Sequence, residues 1–285
     1  MFKIIFKKFS TYAQYILPQH LLSFLMGQLA EIRLPWLKNY FIRRFIKKYH
    51  LNLEEALDPN FKNYPCFNDF FIRRLKPTAR PLAQDEHAIV SPVDGTIAEM
   101  GTIRQNQLTQ AKHLYFTLDT LLANDKDSMS LFTNGNYATF YLAPHDYHRV
   151  HMPLSGHLIK TIYVPGRLFS VNRMTSEIIP NLYGRNERLI TLYQTAIGPT
   201  AVILVGAMIV GNIQTVWAKH PIRTHQIHTT HHPQDIFLEK GMELGHFKLG
   251  STVILLFPQN TMTWSPRLQP GSAIHFGQLV GNFSR

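Results

Sequence analysis

The chain has 285 residues, 45% of them hydrophobic, and a formal net charge of +11. That is enough apolar material for one large domain or two small ones, which excludes a disordered chain. The single cysteine, Cys66, excludes an intrachain disulfide framework and a cysteine-rich zinc site; it fits a reducing compartment and reads as a small core filler.

The charge is concentrated at the front, where Lys3, Lys7, Lys8, Arg33, Lys38, Arg43, Arg44, Lys47 and Lys48 are opposed only by Glu31 within the first 50 residues. Such asymmetry points to a polyanionic partner. Phe2, Phe6, Phe9, Phe24 and Trp36 stand among these charges, which selects an anionic membrane surface over nucleic acid. Gln14, Pro18, Gln19 and His20 break the first apolar stretch well short of the roughly 18 to 20 residues a spanning helix needs, so nothing is expected to cross the bilayer. No small-residue cleavage pattern follows Phe24 to Met26, and the segment reads as retained.

Between Leu37 and Tyr49 the apolar residues Leu37, Phe41, Ile42, Phe45, Ile46 and Tyr49 share one side, with Arg43, Arg44, Lys47 and Lys48 opposite. This spacing predicts a basic amphipathic helix, of the kind that lies in a membrane interface or docks on a core. The run FNDFFIRRL, set among Pro65, Pro77 and Pro81, predicts a short helix entering a proline-punctuated connection. A boundary near residue 85 divides a helical, basic region (1–85) from a β-rich domain (86–285) of short apolar runs separated by turn residues such as Asn134-Gly135 and Pro165-Gly166. Ala201 to Val210 is too short for a membrane and too apolar for a half-exposed strand, and is expected to be a buried central strand. The fold class is therefore α+β: a predominantly β domain with N-terminal amphipathic helices.

Four segments could carry chemistry. Asp94 sits in the Pro-x-Asp-Gly turn of SPVDG; His148 and His151 lie in YLAPHDYHRVHMP; Val205-Gly206-Ala207 precedes Val210-Gly211; and Ser251 follows Gly250 in LGST. Each has an ordinary structural reading, as turn former, core residue or strand start. An H-x-x-H pair could ligate zinc, but on an extended segment the two imidazoles face opposite sides, which suits two separate tasks better than one shared ion. An Asp, a His and a Ser in that order can form an acid–base–nucleophile set, because a serine hydroxyl needs a positioned base.

Taken together, FFIRRLKPTARPL, SPVDGTI, FYLAPHDYHRVHMPLSG, RNER, VGAMIVG and FKLGSTVILLF, running from about Phe67 to Phe257, resemble the phosphatidylserine decarboxylase family. The resemblance implies a self-processing enzyme in which Ser251 attacks the Gly250 carbonyl after His151, oriented by Asp94, takes its proton. The chain would become 1–250 and 251–285, with a pyruvoyl group made from Ser251 as the only cofactor and no metal. That ketone would condense with the headgroup amine of phosphatidylserine and accept the electron pair left by CO2, yielding phosphatidylethanolamine in phospholipid biosynthesis; His148 would act as general acid at the decarboxylation step. The implied partners are phosphatidylserine in an anionic membrane and the chain's own two fragments as a heterodimer, with a homodimer left open, and the implied location is peripheral on the cytoplasmic face of the cell membrane.

His145 stands where an arginine is expected in relatives and Gln214 where a glutamate is common. His220, His225, His228, His231 and His232 fall outside the resemblance and read as a polar surface hairpin. A first rival is a zinc hydrolase using His148, His151 and some of His225, His228 and His231, with Asp94 as ligand or base. A second is a nonenzymatic membrane- or nucleic-acid-binding module resting on the basic N-terminus alone.

Overall fold

The computed structural model describes residues 11–208, 213–218, 224–232, 235–248 and 251–283. Lys3, Lys7, Lys8, Phe2, Phe6, Phe9, Val210, Gly211, His220 and Gly250, all named above, lie outside them.

Two helices open the chain, α1 (Gln19–Ala30) and α2 (Pro35–Tyr49), followed by the five-residue α3 (Phe67–Phe71). Pro35 occupies the first helical position of α2, where its missing N–H would be unpaired anyway, and Lys47 and Lys48 complement the negative end of the helix dipole. The expected amphipathic helix is thus present, but its apolar side is turned inward: Ile42 is fully buried, and the Phe45 ring meets Phe67 and Phe71 of α3 at centroid distances of 5.3 and 6.0 Å. Helix α1 is inverted. It buries Gln19 and Ser23 and exposes Leu21, Phe24, Leu25 and Met26. The polar residues that interrupt the first apolar stretch do the docking: the Gln14 and Gln19 side chains accept from the Ser170 and Leu168 N–H groups at 2.9 and 2.8 Å, and His20 Nε2 lies 2.9 Å from the Gly166 carbonyl. Among the described residues no helix is long and apolar enough to cross a membrane.

The strands follow in two groups. The first comprises β1 (Ala88–Val90), β2 (Gly95–Thr102), β3 (Gln107–Ala111), β4 (Leu114–Thr117), β5 (Asn136–Leu142), β6 (Arg149–His151), β7 (Gly156–Val164), β8 (Arg188–Thr195) and β9 (Gly198–Val205). The second comprises β10 (Ile213–Thr215), β11 (His228–His231), β12 (Phe237–Leu238), β13 (Glu243–Phe247), β14 (Ser251–Phe257), β15 (Met262–Trp264), β16 (Ala273–Ile274) and β17 (Leu279–Phe283). An antiparallel main sheet runs β11-β7-β8-β9-β14-β5-β2-β16, with β12 also on β7; β10-β13-β6 and β1-β17-β15 form two smaller sheets, and β3 and β4 pair as a hairpin. The fold is α+β with β predominating, as expected.

Strand β14 lies in the middle of the main sheet with every residue buried, which is why STVILLF can be a continuous apolar run rather than an alternating one. Its neighbour β9 is the buried strand expected near Ala201, but it starts at Gly198 and ends at Val205. The ladder stops there because Gly206 leaves it: its N–H donates to the Glu187 carbonyl, and its carbonyl accepts from the Asn186 side chain at 2.9 Å.

Candidate active site

Three elements converge at the C-terminal end of β5. Ser251 opens β14 and pairs with Leu142 on one side of β5, while Thr96 at the start of β2 pairs with Tyr141 on the other. The Asp94 turn and Ser251 therefore flank β5, two strand spacings or about 10 Å apart. The turn approaches so closely that a Cβ on Gly95 would stand 2.4 Å from the Tyr141 carbonyl oxygen, so only glycine fits. The chain then leaves β5 through residues 143–148 into β6, and the His151 N–H donates to the Pro92 carbonyl at 2.8 Å, tying the histidine strand to the aspartate turn.

Ser251 is 1% exposed, and among the described residues its Oγ has no hydrogen-bond partner. Leaving a buried hydroxyl unpaired costs about 1–3 kcal/mol, and Ser251 shares this state with Thr252, Thr139 and Tyr193. It lies in the wall of a largely apolar cavity of about 550 Å³, roofed by α1 and α2 and lined also by Phe71, Tyr141, Arg44 and Lys48.

His148 is fully buried against Phe71, ring centroids 4.2 Å apart. Its Nδ1 lies 2.8 Å from the Asp146 carbonyl; a carbonyl only accepts, so Nδ1 carries the hydrogen and Nε2 is a bare lone pair. That Nε2 is buried and without a partner among the described residues. Burial holds the imidazole down at about 3, with the nearby Arg73 and His145 charges acting in the same direction. It is a neutral base at physiological pH.

His151 occupies a different environment. Its Nδ1 donates to the Gly241 carbonyl at 2.8 Å, its Nε2 accepts from the Tyr147 hydroxyl at 3.1 Å, and its ring stacks on Phe276 at 3.7 Å. Burial lowers it to about 4. Asp94, 3% exposed, accepts from Arg80 Nε and Nη2, the latter at 2.7 Å, and from the Phe276 N–H at 2.8 Å. Among the described residues Asp94 makes no hydrogen bond to His151. It acts on that ring through Phe276 and through its charge, which favours the imidazolium.

The structure thus brings the Asp94 turn, His148, His151 and Ser251 around one strand end, and adds Arg80, Tyr147 and Phe276, which sequence reasoning missed. Arg80 was visible within the RRLKPTARPL stretch but reads there as linker; Phe276 lies beyond the end of the resemblance. His145 rests on Tyr49 of α2, centroids 5.9 Å apart, with Nε2 3.5 Å from Asp146 Oδ1, and the Gln214 amide donates to the Ala218 carbonyl at 2.6 Å.

The zinc alternative finds no donor set: among the described residues no three His, Cys, Asp or Glu side chains are placed to hold a metal. Both ring nitrogens of His151 are engaged, and His228 and His231 lie on the edge strand β11, four strands from β14 and hence roughly 19 Å away.

Comparison with known proteins identifies the family. The family model described as phosphatidylserine decarboxylase matches residues 67–282, and a second, described as PSD, matches residues 9–50. A phosphatidylserine decarboxylase proenzyme of Bordetella avium (strain 197N) is 49% identical over 275 residues, covering 94% of this chain and 92% of the relative. Proteins of the same name from Pseudomonas putida (strain GB-1) and Coxiella burnetii (strain RSA 331 / Henzerling II) are 48% and 47% identical, each over 94% of this chain and 95% and 96% of the relative.

Proposed function

The chain belongs to the phosphatidylserine decarboxylase family and is a carboxy-lyase, and from this premise we propose that it makes its own catalytic ketone from Ser251 and uses it to convert phosphatidylserine to phosphatidylethanolamine in phospholipid biosynthesis. The observation that carries the reading is the buried Ser251 at the start of a central strand, in the wall of an apolar cavity, its Oγ without a partner among the described residues.

Self-cleavage begins when a base removes the Ser251 proton and Oγ bonds to the Gly250 carbonyl carbon; the C–N bond breaks and the nitrogen takes a proton. Loss of the Cα proton then expels the Gly250 carboxylate from Cβ, and hydrolysis releases ammonia. His151 serves as the base once Tyr147 yields its hydrogen bond to Nε2, with Asp94 stabilising the imidazolium and seating Phe276 behind the ring. The resulting pyruvoyl group supplies an electron sink for the pair left when CO2 departs. During turnover His148 Nε2 relays a proton to carbon after CO2 leaves, the general-acid step suited to an imidazole with one free nitrogen. The apolar cavity destabilises the substrate carboxylate and favours its loss as neutral CO2. The outward apolar side of α1 seats the protein peripherally on the cytoplasmic face of an anionic membrane, bringing the cavity to the headgroup layer.

Denaturing mass spectrometry of the purified chain tests the reading. The expected result is a 251–285 fragment lighter than its serine form by one ammonia, absent from Ser251→Ala; a cleaved and active Ser251→Ala protein would overturn it. His148→Ala is expected to cleave but decarboxylate poorly, and failure to cleave would exchange the roles of the two histidines.

A further inference from the structure

Glu31 is the one acidic residue among the first 50, and it sits where a helix least favours it. It is the C-cap residue of α1, at the negative end of the dipole, where a carboxylate is repelled by the last carbonyls. The fold retains it there by surrounding it with donors. Oε1 accepts from Lys248 Nζ and from Asn68 Nδ2, both at 2.8 Å, and Oε2 lies 3.4 Å from the Cys66 thiol, whose single hydrogen it shares with Asp69 Oδ2 at 3.2 Å. Burial pushes the carboxyl up, but the bonds from Lys248 and Asn68 outweigh it and leave it below its ordinary value. Burial also raises the Cys66 thiol to about 12, so it stays protonated and remains a donor.

Lys248 is no ordinary surface partner. It follows the last residue of β13 and stands three positions before Ser251, where β14 begins. These strands belong to different sheets, so the chain must change sheets within the residues that contain the scissile bond. On the far side that bond is held by the pairing of Ser251 with Leu142. On the near side the side-chain anchor is Glu31.

We propose that Glu31 is a positioning residue for self-cleavage, which by clamping Lys248 to the end of α1 fixes the chain three residues before the attacking Ser251. The proposal rests on the pyruvoyl reading above. The clamp joins the α1 roof of the cavity to the bond that must break, so the N-terminal helices take part in maturation as well as in seating the enzyme. Asn68, at the start of α3, braces the same carboxylate from a third element.

The test follows the full-length chain from cell-free synthesis, so that uncut protein is present at the start, and measures intact chain and fragments over time by denaturing mass spectrometry. Glu31→Gln and Lys248→Met are each expected to slow cleavage about fivefold, the loss of about 1 kcal/mol appropriate to a partly exposed ion pair. The double variant is expected to be no slower than either single one, because the two changes remove one interaction. Lys248→Arg is expected to restore most of the rate. A merely structural role would lower the melting temperature in parallel with the rate. Wild-type cleavage rates in Glu31→Gln, additive losses in the double variant, or a slowdown that tracks thermal stability would each overturn the clamp while leaving the pyruvoyl reading intact. A wild-type chain that never cleaves would overturn both.

Discussion

Acid is expected to unfold the uncut protein through its two buried histidines. An unfolded imidazole takes up a proton near 6.5, whereas His148 and His151 resist protonation in the fold until about 3 and about 4. Above pH 6.5 neither state binds the proton and stability is unaffected. As the pH falls from 6.5 toward the folded values, only the unfolded chain gains protons, and each histidine lowers stability by about 1.4 kcal/mol per pH unit. Between pH 6.5 and 4.5 the pair removes about 5 kcal/mol, comparable to the whole net stability of many domains. The assay is urea unfolding of the Ser251→Ala chain, which stays covalently whole, at pH 7, 5.5 and 4.5. His148→Gln in that background places a neutral amide where the imidazole stood and is expected to remove about half of the pH dependence, leaving unfolding at pH 7 less affected than at pH 4.5. An unchanged pH dependence in the His148→Gln chain would refute the claim that the buried imidazole is neutral, and with it the proton shuttle assigned to its Nε2.

Arg80→Met is expected to strand the buried Asp94 carboxylate, at about 3–5 kcal/mol of stability, and to block cleavage; Arg80→Lys, which keeps the charge but loses the fork on Asp94, is expected to retain part of both. Thermal melts and the gel ratio of intact chain to fragments read the two effects. Gly95→Ala, whose Cβ would collide with the Tyr141 carbonyl, is expected to lower Tm by about 4–8 °C, the effect of about 2 kcal/mol in a domain of this size. A triple change of the exposed Leu21, Phe24 and Leu25 to Asp is expected to weaken binding to anionic vesicles at least about tenfold in sedimentation while cleavage proceeds. Undiminished vesicle binding would place the membrane contact elsewhere.

Helix α2 was legible because its apolar residues repeat at helical spacing, and β9 because nine hydrophobic residues broken only by Gly206 have few other uses. Helix α1 was not, for a physical reason: Gln14, Gln19 and His20 look like interruptions of an apolar stretch until residues 166–170, remote in sequence, supply their partners. The inward turn of the α2 apolar face depended likewise on Phe67 and Phe71. At the site, residue types and chain order allowed an acid–base–nucleophile set and the resemblance to the family singled out Asp94, His148, His151 and Ser251, but neither showed how the first three are held. Arg80 on Asp94 and Phe276 on His151 are contacts between segments that no local pattern relates, and Tyr147, four residues before His151, meets its Nε2 only through the path the chain takes into β6. The end of β9 at Val205 was hidden similarly, since it is set by Asn186 reaching across to Gly206.

The placement of β14 gives the cut an unusual character. Ser251 is the first residue of a strand paired along its length with β5 and over five residues with β9, and the residues after it supply β16 on the edge of the same sheet and β15 and β17 of another. A chain severed just before Ser251 would lose one covalent bond and almost none of its weave, because pulling the short piece free means tearing the main sheet through its centre. The reverse journey is the difficult one. The sheet is assembled while the segment is still tethered, and two separated pieces would have to find each other with the central strand missing from the larger. Folding would then be an act the molecule performs once, before maturation, and the finished enzyme would persist by the height of its unfolding barrier rather than by any ability to fold again.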